Sequence, residues 1–78
     1  MQVKIGDLIW RKAPQTPQNN MERAAMMSRN YIGHGVVLSK QSCTDPDGYP
    51  QQLVTAYYPK VGMIYDTEEH LLEVIGAA

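Results

Sequence analysis

The chain has one cysteine, Cys43, and no phenylalanine, and no apolar run nears the roughly 20 residues that a bilayer-spanning helix needs. A single thiol excludes an intrachain disulfide and points to a reducing compartment. Charge of either sign is in short supply too. Seven basic residues against eight acidic ones leave a net charge of -1, which argues against a dedicated nucleic-acid binder with a cationic face. The opening residues, Met1-Gln2-Val3-Lys4-Ile5, lack the charged and apolar regions of a secretory signal. The expected location is therefore the cytoplasm in which the chain is made. No internal repeat or low-complexity tract is present.

Seventy-eight residues predict one domain, residues 1–78, with a modest core. A chain this short buries only about 60 % of its unfolded surface. With disulfides excluded, association with another chain is the expected supplement. Five tyrosines stand in for the missing phenylalanines, and tyrosine suits half-buried and interface positions.

Leu53–Tyr58 and Met63–Asp66 read as a β-hairpin turned through Pro59-Lys60-Val61-Gly62. A one-turn helix over Thr67–His70 follows, with Asp66 as its cap and Glu69 reaching back. Leu71–Ile75 is the last strand, returning to pair near the N-terminal strand. In the hairpin, Leu53, Thr55 and Tyr57 share one face and Val54, Ala56 and Tyr58 the other. One of the adjacent tyrosines, Tyr57 or Tyr58, must be core and its neighbour surface, and the exposed one is expected to pair with Tyr65.

At the other end, Val3-Lys4-Ile5 alternates, Gly6-Asp7 signals a turn or bulge, and Leu8–Lys12 alternates again. This predicts one bent strand over Val3–Lys12, with Leu8 and Trp10 on one face and Ile9 and Arg11 on the other. Ala13-Pro14 ends it. Met21–Arg29 is built from helix formers, and Asn19 with Glu22 resembles a capping box. Such a short helix must pack on the domain or on a partner, or fray. Gly33-His34-Gly35 allows a sharp reversal or a close backbone approach before the central strand Val36–Lys40. Gln41–Pro50 carries turn residues without periodicity and is expected to be a loop.

The order strand, Gly-Asp, strand, long excursion, Gly-x-Gly, strand, hairpin, helical turn and final strand resembles the SH3-like small barrels. The likeness is carried by Val3–Ile9, Gly33–Leu38 and Tyr65–Ile75. It implies a mainly β fold, a five-stranded SH3-like barrel with a short helix inserted in its first long loop. The same segments are similar to a loose group of short phage-encoded proteins, many from tailed marine phages. That resemblance implies a virion-associated or accessory structural protein.

No pattern of catalytic residues emerges. Cys43 with a histidine is the sole candidate nucleophile and base, and no spacing ties them together. Asp45-Pro46-Asp47-Gly48 lacks the alternating ligands and closing glutamate of a calcium loop and reads as a turn. His34, His70 and Cys43 match no metal-ligand spacing. The expectation is a non-catalytic module without metal or cofactor that associates with itself or with a larger structural protein. Its candidate contact residues are Met21, Met26 and Met27, whose side chains adapt to irregular surfaces, with Tyr49 of the loop and Tyr57 or Tyr58 of the hairpin. The alternative is a nucleic-acid-binding barrel of Tudor or KOW type, using Arg11, Lys12 and Lys40.

Overall fold

The computed structural model describes residues 2–78. Strand β1 (Leu8–Arg11) is followed by helix α1 (Asn20–Ile32), then β2 (Gly35–Thr44), β3 (Pro50–Tyr58) and β4 (Met63–Glu68). A 3₁₀ turn, Glu69–Leu71, leads into β5 (Leu72–Gly76). The five strands form one antiparallel sheet in the order β4-β3-β2-β1-β5. β4 and β5 are its two edges and do not pair with each other, so the sheet is not closed. The fold is mainly β with one helix, and β5 lies against β1 as the sequence predicts.

Period-two alternation places the core. Val54, Ala56 and Tyr58 of β3 are buried with Ile9, Val37 and Leu72, joined by Val3 from the N-terminal segment. Ile32, Val61 and Val74 pack against this cluster. The two glycines around His34 have separate duties. Gly33 ends α1 at φ 70 and donates its amide to the Arg29 carbonyl at 2.8 Å. Gly35 lets the backbone approach the Tyr58 ring, where a Cβ would stand only 2.8 Å from the nearest ring atom.

Four expectations need correction. Val3–Lys12 is not one strand, because only Leu8–Arg11 is in the sheet. Ahead of it Gly6, at φ 90, makes a turn in which the Asp7 carboxylate accepts from the Lys4 amide at 2.9 Å. Gln41–Pro50 is not a loop, since β2 runs to Thr44 and β3 starts at Pro50 in continuous register. Asp45 closes this ribbon by accepting at one oxygen from the Asp47 and Tyr49 amides, which tightens the reversal to a few residues. The helical turn starts at Glu69 rather than Thr67, because Thr67 and Glu68 remain paired to β3. Asp66 caps nothing and accepts from the Thr55 hydroxyl at 2.6 Å. The helix is longer than Met21–Arg29, continuing until Gly33 stops it. Its capping box forms only in part: Asn19 accepts from the Glu22 amide at 2.8 Å, whereas Glu22 reaches the Gln18 amide.

Both chain ends are tied down by carboxylates. Asp7 is 3 % exposed and accepts from the Ala78 and Lys4 amides. Glu69 accepts from Lys40 Nζ at 2.6 Å and from the Val3 amide at 2.9 Å. The Ala78 amide, then the Lys4 amide, lowers the Asp7 pKa. The Lys40 hydrogen bond, with the Val3 amide behind it, lowers that of Glu69 against the opposing effect of burial. A folded-state pKa below the unfolded value adds stability that is complete above the ordinary carboxylate range near 4 and disappears as pH falls through the depressed values. Denaturant midpoints are therefore expected to be flat near neutrality and to fall under acid, with Asp7→Asn and Glu69→Gln each flattening the slope. In the core, Gly35→Ala is expected to cost about 1–3 kcal/mol in urea melts, because the Tyr58 ring must move.

Candidate functional site

No residue of helix α1 is fully buried. Its half-buried positions, Glu22, Ala25, Met26, Ser28, Arg29 and Ile32, recur at helical spacing and face the sheet. One anchor is polar and aromatic: the Arg29 guanidinium lies 4.8 Å from the centre of the Trp10 ring and donates to the Ala13 carbonyl at 3.2 Å. Trp10 is itself held from the neighbouring strand by Glu73, which accepts from its indole nitrogen. Ile32 supplies the apolar anchor at the C-terminal end.

The opposite stripe of α1 carries apolar side chains in solvent. Met21 is 83 % exposed, Met27 62 % and Tyr31 70 %. Met27 and Tyr31, one turn apart, line an open hollow of about 690 Å³ with Asn30 and, from the β3–β4 turn, Lys60 and Val61. Lys60 donates to the Asn30 carbonyl, which joins the turn to the end of the helix. Met26 faces the sheet and does not line this hollow.

Sequence reasoning missed Tyr31 and Val61 here. The i to i+4 spacing from Met27 was a signal for Tyr31; nothing local announced Val61.

The tyrosines divide as the alternation requires. Tyr58 is 1 % exposed and belongs to the core, so it is withdrawn from the candidate contacts; Tyr57 is 40 % exposed. The aromatic pair forms with the buried tyrosine rather than the exposed one, the Tyr58 and Tyr65 ring centres lying 5.7 Å apart. Register explains this, because Tyr65 stands opposite Ala56 and so shares the inner face. Tyr57 stands opposite Ile64 on one side and Val36 on the other, and Val36 stands opposite Leu8. These four make an apolar row across the outer face of β1 to β4. Tyr49 is exposed at the ribbon tip, in a separate place.

The three cations of the alternative reading do not share a surface. Lys40 is held by Glu69 and also donates to the Val3 carbonyl at 3.3 Å. Arg11 and Lys12 are adjacent in an extended segment and so point to opposite sides. Cys43 stands opposite Gln51 in the ribbon, and His70 Nε2 lies 3.4 Å from a Glu68 carboxylate oxygen. Among the described residues, no three His, Cys, Asp or Glu side chains converge on a common point. No helix is long and apolar enough to cross a membrane. Compared with protein-family models, with curated proteins and with solved structures, the chain matches none.

Arg29→Ala is expected to release α1 from β1 by about 1–2 kcal/mol, the sum of one cation–π contact and one hydrogen bond. The observable result is faster amide exchange over Asn20–Ile32 and a red-shifted Trp10 emission, with β3 exchange unchanged.

Proposed function

We propose that this chain is a non-catalytic interaction module that associates with a second copy of itself or with a larger structural protein through the outer stripe of α1. The observation that carries this reading is the hollow lined by Met27, Tyr31 and Val61. It places apolar side chains in solvent on a chain whose core is small. A methionine beside a tyrosine offers adaptable apolar contact with a polar tip, and the Lys60 ammonium borders it.

The finer readings rest on less. For the SH3-like barrel, support comes from the meander β2-β3-β4 with β1 and β5 paired beside it, and from the helix placed in the first long connection. A role as a virion-associated or accessory component is supported by the resemblance to short phage proteins in Val3–Ile9, Gly33–Leu38 and Tyr65–Ile75. The nucleic-acid reading keeps only Arg11 and Lys12, since Lys40 is engaged by Glu69.

Light scattering is expected to give a mass above the 8.8 kDa of one chain at high micromolar concentration. The double change Met27→Ser with Tyr31→Ser is expected to return it to one chain without loss of strand content, because neither side chain is in the core. A wild-type chain that stays monomeric and retains no protein partner through native purification would remove this reading.

A further inference from the structure

A second hollow, of about 210 Å³, lies between β1, α1 and β4. It is lined by Arg11, Ser28, Ile32, Tyr65, Asp66 and Thr67. Its chemistry differs from that of the apolar hollow. Arg11 is half-buried, and among the described residues its guanidinium forms no ion pair and donates no hydrogen bond to the protein. A guanidinium carries five donors in a rigid fork suited to oxyanions, so leaving it unpartnered in a concavity is uncommon for a structural arginine. Three hydroxyl-bearing side chains, Ser28, Tyr65 and Thr67, surround it from two other elements.

Sheet register puts Arg11 there. β1 alternates, Ile9 is fully buried, and Arg11 follows on the same inner face, beyond the end of the core. Thr67 stands opposite Val54 and Tyr65 opposite Ala56, so β4 turns both toward the same side. Burial raises the pKa of the Tyr58 phenol, and Thr67 and the Arg11 charge oppose that rise. Asp66 is the one acidic residue lining the hollow among the described residues, and its carboxylate accepts from the Thr55 hydroxyl on the outer face of the sheet.

We propose that the hollow between β1, α1 and β4 is a binding site for a single oxyanion group, a carboxylate or a phosphoryl, held by the Arg11 fork with Ser28, Tyr65 and Thr67 as hydroxyl donors. The volume is below the roughly 300–1,000 Å³ of pockets that enclose whole small molecules, so the site takes a head group and leaves the rest of the ligand outside. Asp66 at the margin opposes the bound charge and keeps the affinity low. The two hollows share no lining residue, so this site is distinct in place from the surface on the outer stripe of α1.

The test is titration of the ¹⁵N-labelled chain with sodium phosphate and with sodium acetate, against sodium chloride at matched ionic strength. Arg11 Nε–H and the amides of Ser28 and Tyr65–Thr67 are the reporters. Saturable shifts confined to these signals, with millimolar dissociation constants, are expected. Arg11→Gln is expected to weaken binding at least about tenfold, Asp66→Asn to tighten it about threefold or more, and Lys12→Gln to leave it unchanged. Acetate binding as well as phosphate identifies a carboxylate ligand, and a several-fold preference for phosphate identifies a phosphoryl one. Chloride shifts equal to those of both oxyanions overturn the proposal, as does wild-type affinity in Arg11→Gln. Should Arg11→Gln not fold, Asp66→Asn decides alone, and failure to tighten overturns the proposal.

Discussion

One Glu69 carboxylate oxygen accepts from both Lys40 Nζ and the Val3 amide, while the same Nζ donates to the Val3 carbonyl. The N-terminal segment, the central strand and the turn before the last strand therefore meet in one polar ring. Its formation depends on a single irregularity. Val37 and Lys40 are three residues apart, so strict alternation would put them on opposite faces. The register shift between Val37 and Ser39 restores Lys40 to the inner side, opposite buried Val54. Without that bulge, Lys40 would point to the outer face and Glu69 would be left as a partly buried carboxylate with one amide donor. Val3 reaches the core because this ring holds its backbone.

What the sequence conveyed follows the same division between regular and irregular structure. Strand β3 was legible from Leu53 to Tyr58, where Val54, Ala56 and Tyr58 alternate without interruption and all three are core, but not over residues 50–52. The cap at Asn19 and the close approach at Gly35 were legible because each has a local physical cause. Lys40 was not, for a bulge leaves no mark in composition. It was offered with Arg11 and Lys12 as a nucleic-acid-binding cation, and the bulge turns it to Glu69 instead. The Gln41–Thr44 strand was hidden in another way, because a polar ribbon exposed on both faces has no hydrophobic period to read. Of the outer hollow's lining, Met27 was visible in the Met21–Met27 cluster. Asn30 and Tyr31 follow it on the helix, and Lys60 and Val61 come from a distant turn that needed the fold to place it.

The helix divides the three methionines offered as contacts, with Met26 facing the sheet and Met21 and Met27 facing solvent. An amphipathic helix normally turns its apolar stripe to the core. In α1 the half-buried stripe includes Glu22 and Arg29, while Met21, Met27 and Tyr31 face solvent. The arrangement is stable enough to seat the helix because Arg29 stacks on Trp10 and Ile32 reaches the core. It leaves the larger apolar side chains free for another surface, and the seven buried hydrophobic residues among those described make little core into which to withdraw them.

Both hollows are built on that one helix. Met27, Asn30 and Tyr31 line the outer one, Ser28 and Ile32 the inner one, and Arg29 lies between them in sequence and fixes the helix to Trp10. No residue is shared, but the seating of α1 is. A group that binds Arg11 and Ser28 favours the docked helix, and a docked helix presents Met27 and Tyr31 in a fixed position beside Val61. By reciprocity, whatever binds the outer stripe in that position must favour occupancy of the inner hollow by the same factor. The size of the coupling is bounded by the free energy of releasing α1, which a single cation–π contact, one hydrogen bond and the Ile32 contact keep small.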